Sequence, residues 1–109
     1  LHMELMQSDA VAKASQATVL VTNPTHYAIA LNYQEGDTPL PLVMAKGEGA
    51  LAQRMIDAAR AAGVPVMRNI PLAHALFDTA EVNQYIPSDL IEPVAALLRL
   101  ITDLVDPQE

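Results

Sequence analysis

Apolar residues in this chain fall into short runs and helical stripes, separated by polar breaks that carry Gly, Pro, Asn or Asp. Residues 1–16 (LHMELMQSDAVAKASQ) read as a polar helical lead-in, with Leu1, Leu5 and Met6 as a short apolar stripe. Its order depends on docking, because chain ends fray when nothing holds them. Ala17 to Val21 (ATVLV) is a short run rich in β-branched residues and predicts a buried strand. A polar knot, Asn23-Pro24-Thr25-His26, follows, and Tyr27 to Tyr33 (YAIALNY) predicts a second strand. Gln34 to Pro41 is loop chemistry, and Leu42 to Ala45 predicts a third strand. Lys46-Gly47-Glu48-Gly49 reads as a strand-to-helix turn.

Leu51, Met55, Ala58, Ala59 and Ala62 recur at helical spacing, and Gly63 with Pro65 supplies the stop. VPVMRN (64–69) predicts a fourth short strand that starts at a proline. Ile70 to Asp78 reads as a helix with Pro71 in its first turn. The last helix carries Leu90, Val94, Leu97, Ile101 and Leu104 as one stripe, with Ser88 as its expected N-cap and Pro93 near its start. This order predicts an α/β fold, a small central mixed sheet of about four strands surrounded by about four helices.

Composition narrows the function. The chain has 109 residues, one domain's worth, and is 51% hydrophobic with no Trp and one Phe, so its core is aliphatic. The net charge is −7, and the six basic residues are scattered, which argues against a nucleic-acid partner. There is no cysteine, which excludes disulfides and thiolate metal sites and fits a reducing compartment. His2, His26 and His74 are too dispersed to suggest a metal site, and no cofactor motif is present, so none is expected. No apolar run approaches the roughly 20 residues of a membrane span. The chain opens on Leu1, which is read here as the mark of a piece of a longer protein.

The knot admits two readings. Asn-Pro is a common turn starter, since Asn accepts a local hydrogen bond and Pro presets φ. It is also a bond that can cut itself. Pro has no N–H, so the backbone attack that deamidates Asn is closed at Asn23. The reverse attack remains open. The Asn23 side-chain nitrogen can close on its own main-chain carbonyl carbon, form a succinimide and expel the Pro24 nitrogen. A fold accelerates such a step by holding the reacting atoms together and aiming donors at the developing oxyanion. Thr25 and His26 stand next in sequence to orient groups and handle the proton. A single-turnover self-cut of this kind is not multi-turnover enzymology.

The segments around the knot resemble the cytoplasmic domain of the export switch protein of type III secretion systems, the FlhB/YscU/SpaS family. Val21-Thr22-Asn23-Pro24-Thr25-His26-Tyr27-Ala28-Ile29-Ala30 is similar to that family's strand-knot-strand segment. Pro39-Leu40-Pro41-Leu42-Val43 with Ala45-Lys46-Gly47 is similar to its next strand and helix start. Gly63-Val64-Pro65-Val66, Ile70-Pro71-Leu72-Ala73-His74-Ala75-Leu76-Phe77 and Tyr85-Ile86-Pro87 match in order, and Leu1-His2 looks like the end of the family's membrane-to-domain linker. One position departs: His74 stands where the family more often has Arg, which weakens any ion pair or partner contact such an Arg would make.

The resemblance implies a division into 1–16, a linker helix from an absent membrane domain, and 17–109, a self-cutting switch domain. It implies a cut between Asn23 and Pro24, with Asn23, Pro24, Thr25 and His26 as the site. The cut pieces stay associated, and the processed form permits the change from early to late export substrates. Location at the bacterial inner membrane on the cytoplasmic side is implied, in an injectisome rather than a flagellum. Partners would be other export-apparatus proteins, secretion substrates or their chaperones, and the chain's own cut N-terminal segment. The alternatives are an uncut interaction module, in which the knot is only a turn, and a hydrolase using His26 or His74. The latter lacks a nucleophile-base pair.

Overall fold

The run ahead of the Asn-Pro pair is a strand because every one of its apolar residues finds a buried partner. The computed structural model describes residues 2–105, with side chains described for 8–102. The elements are α1 (His2–Ala14), β1 (Val19–Asn23), β2 (Tyr27–Asn32), β3 (Leu42–Glu48), α2 (Ala50–Ala61), β4 (Val66–Arg68), α3 (Ile70–Thr79) and α4 (Ile91–Val105). The sheet order is β3-β2-β1-β4. β1 pairs antiparallel with β2 and parallel with β4, and β2 pairs antiparallel with β3, so the sheet is mixed, as expected.

Both faces of the sheet are covered. Val19, Val21, Ile29, Leu31 and Val43 face α3 and α4, joined by Leu72, Leu76, Val94, Leu97 and Ile101. Leu20, Ala28, Ala30 and Ala45 face the other way, against Ala10, Ala14, Ala52, Met55, Ile56 and Ala59. Burial on both faces explains why β1 reads as a continuous apolar run rather than an alternating one. The second core is built largely of alanine, which lets α1 and α2 lie close to the sheet. The C-terminal half of α1 is therefore docked. The expected stripe of Leu1, Leu5 and Met6 lies outside the residues whose side chains are described, as does Leu104.

Three expectations are corrected. β1 begins two residues late and runs through Asn23, because its pairing with β2 continues to Asn23 opposite Tyr27. β3 continues to Glu48, so Lys46-Gly47-Glu48 is strand and only Gly49 turns into α2. A Cβ at Gly47 would collide with Met55 Sδ and stand 3.1 Å from Leu51 Cγ, so this glycine serves close approach of α2. Ser88 is not an N-cap. It is the first residue of a 3₁₀ turn, Ser88–Leu90, that follows Pro87, makes no side-chain cap bond and runs directly into α4. Asn69 is a cap instead, its Oδ1 accepting from the Leu72 N–H at 3.2 Å.

Candidate functional site

Strand pairing reaches Asn23 and Tyr27, which leaves three residues, Pro24, Thr25 and His26, to reverse the chain. The His26 N–H donates to the Asn23 carbonyl oxygen at 2.9 Å, closing a four-residue turn. Pro24 takes the second position of this turn, and Thr25 takes the third with φ of +69°. Proline followed by a positive φ is the pattern of a type II turn, which normally places Gly at the third position. A β-branched residue in the left-handed region is strained, by about 1–3 kcal/mol. The turn keeps this geometry because both flanks are tied. The Gly49 N–H donates to the His26 carbonyl at 3.0 Å, and the Asn69 N–H donates to the Thr22 carbonyl at 3.0 Å.

Asn23 is half-buried, while Pro24, Thr25 and His26 are exposed. His26 Nδ1 lies 3.3 Å from Thr25 Oγ1 and 3.4 Å from the Pro24 carbonyl oxygen. The tautomer decides which contact forms. A protonated Nδ1 donates to the carbonyl, and a bare one accepts from the hydroxyl. The imidazole therefore sits over the first peptide after the Asn-Pro bond. Among the described residues, none is hydrogen-bonded to the Asn23 side-chain amide. The fold thus brings all four residues of the knot into one turn.

Sequence reasoning missed what stands behind that turn. The Tyr27 ring stacks on Phe77, with centroids 4.3 Å apart and planes at 22°. His74 meets the same ring edge-on at 5.8 Å, and the His26 ring lies at 6.3 Å. His74 is an exposed residue of α3, and its Nε2 lies 3.0 Å from Asp78 Oδ2. Lys46 Nζ donates to the carbonyls of Phe77 and Ala80 at 2.8 and 2.7 Å and stands 5.1 Å from the Phe77 ring centroid. A cation here satisfies the open carbonyls at the end of α3. Only Asn69 had a local signal, an Asn two residues before a helix-starting proline.

A groove of about 420 Å³ lies at the other end of the sheet, lined by Thr18, Tyr33, Leu40, Ile91, Leu98 and Ile101 among others. Neither His26 nor His74 lines it. Among the described residues no three His, Asp or Glu side chains gather as metal ligands, and no helix is long and apolar enough to cross a membrane.

Comparison with known proteins gives a consistent result. Yop proteins translocation protein U of Yersinia pestis is 42% identical over 98 residues, covering 90% of this chain and 28% of that protein. The flagellar biosynthetic protein FlhB of Yersinia enterocolitica is 44% identical over 94 residues, covering 86% of this chain and 24% of that protein. The chain thus spans about a quarter of the length of these relatives. A crystal structure of an EscU C-terminal domain carrying an Asn-to-Asp substitution is 43% identical, with a TM-score of 0.79, over 84% of this chain and 97% of that one. Two further EscU structures carry alanine at that asparagine and at the proline directly after it. The sequence profile of the FlhB HrpN YscU SpaS family matches residues 1–101, and the chain belongs to this family.

Proposed function

We propose that this chain is the self-cutting specificity switch of a type III protein export apparatus. Asn23 Nδ2 attacks the Asn23 carbonyl carbon, the C–N bond to Pro24 breaks, and a succinimide ends the first fragment. The proton lost from Nδ2 is balanced by one gained at the Pro24 nitrogen, which leaves as a secondary amine. Pro24 closes the competing deamidation route, and Thr25 and His26 orient the turn and handle the proton.

The observation that carries this reading is the His26 N–H directed at the Asn23 carbonyl within a strained turn. That carbonyl oxygen is where negative charge develops, and one such donor is typically worth about 10²–10³-fold in rate. The amide nitrogen is not engaged by another described residue. The EscU domains substituted at an Asn and at the following Pro support the same pair as the point of interest in a relative.

On this reading residues 1–16 link the domain to a membrane portion at the bacterial inner membrane, and 17–109 lie on the cytoplasmic side. Its partners are other export-apparatus proteins and the secretion substrates or their chaperones. Relatives named for Yop translocation and for flagellar biosynthesis match the chain to nearly the same degree, at 42% and 44% identity.

The test is the mass of freshly purified, denatured protein. Two fragments are expected, one ending at Asn23 as Asn or succinimide and one beginning at Pro24. Asn23→Ala should give a folded, single, uncut chain, and cutting of that variant at the same bond overturns the mechanism. His26→Ala should cut more slowly, and an unchanged rate would make His26 purely structural. A second reading, an uncut docking module, draws on the groove beside α4. An intact wild-type mass that persists through days of incubation would select it.

A further inference from the structure

We infer that Tyr27 is a positioning residue for the cut at Asn23-Pro24, clamped against α3 by Phe77 and His74; the inference rests on the self-cutting reading. Three observations meet at this ring. Tyr27 is the Cα partner of Asn23, so it forms the other side of the hairpin mouth from the residue that reacts. It follows His26 directly, so its placement sets where the chain leaves the turn. Its ring lies flat on Phe77 and against the edge of His74, both on one face of α3.

Phe77 is itself fixed. Lys46 reaches from β3 to the carbonyls of Phe77 and Ala80 and lies near the Phe77 ring. Lys46 stands opposite Ile29, two residues along β2 from Tyr27, on the same face of the sheet. β2, β3 and α3 are thereby joined at a single aromatic pair, next to the turn.

The turn needs such a hold. With Thr25 in the left-handed region, it relaxes most readily by turning the Pro24–Thr25 segment or by opening the last strand pair. Opening the strand pair takes the His26 N–H off the Asn23 carbonyl, whereas turning the Pro24–Thr25 peptide keeps that bond and shifts the Thr25 hydroxyl and the Pro24 carbonyl away from the His26 ring. The entrance of the turn is held by Asn69 and its exit by Gly49, in each case through one backbone hydrogen bond. The Tyr27 stack is the side-chain contribution at the exit, and aromatic contacts are of the same order as the strain they oppose. Loss of the ring lets the exit move, and small displacements of reacting atoms lower rates steeply.

The test follows cutting of the full 109-residue chain made by cell-free translation, labelled in a pulse and sampled during the chase. Tyr27→Ala should cut at least about tenfold more slowly than wild type. Tyr27→Phe keeps the stack and should restore the rate to within about threefold. Phe77→Leu, which keeps an apolar side chain and removes the flat partner, should also slow cutting. Val94→Ala, a truncation of a fully buried side chain in α4, should lower the melting temperature and leave the cutting rate unchanged.

Should Tyr27→Ala fail to fold, Phe77→Leu and Tyr27→Leu carry the comparison. Folded Tyr27→Ala or Tyr27→Leu cutting at the wild-type rate overturns the clamp and leaves self-cutting intact. Equal slowing by Val94→Ala overturns it too, since the effect would then follow overall stability. A wild-type chain that is never cut removes the self-cutting reading and this one with it.

Discussion

Thr25 carries the least comfortable backbone of the turn, because a branched Cβ at φ of +69° crowds its own peptide. Glycine has no such penalty, although it loses more conformational freedom on folding. In the uncut Asn23→Ala background, Thr25→Gly should therefore raise stability by about 1 kcal/mol, read from the urea midpoint. In the otherwise unaltered chain the same change should slow cutting, because the turn then populates other shapes. A Thr25→Gly chain that is no more stable would mean that the surroundings, rather than the local backbone, bear the strain. The turn made by the four residues of the knot was legible in sequence because turn signals are local. The sign of φ at Thr25 was not, since Thr does not ordinarily occupy that position and the Asn23–Tyr27 register imposes it.

At the scale of elements, Gly47 shows how a local signal misleads. A glycine between a strand and a helix reads as the turn, yet the strand runs on through it. Its lack of a side chain makes room for Met55 and Leu51 on α2. Gly47→Ala should cost about 1–3 kcal/mol, as overpacking does, in urea unfolding of the uncut variant. A change of less than about 0.3 kcal/mol would mean that α2 slides aside without loss. Helices were the better-read elements. The expected stripe holds at Val94, Leu97 and Ile101 in α4 and at Leu90 in the 3₁₀ turn before it, all buried, because period 3.6 survives any choice of partner. Ser88 failed as a cap because Pro87 turns the chain early and a 3₁₀ turn takes up the helix start.

Across the whole molecule, the position of β1 decides what a cut would do. β1 lies between β2 and β4, and its Val19, Leu20 and Val21 are fully buried. The segment ahead of it docks through Ala10 and Ala14. A break after Asn23 leaves this pairing and burial in place, so fragments 1–23 and 24–109 should co-elute natively near 11.7 kDa and separate only in denaturant. Native elution as two species would mean that the sheet opens once the turn is cut. The sequence by itself determined the order of the elements, the mixed α/β class and the place of the Asn-Pro turn, because hydrophobic period and turn residues are properties of neighbouring residues. The tertiary structure alone decided that Lys46, Phe77, His74 and Tyr27 converge behind the turn, and that Gly49 and Asn69 tie its flanks. Those contacts join residues far apart in the chain, and only the packing of α3 on one face of the sheet and the pairing of β3 with β2 bring them within reach.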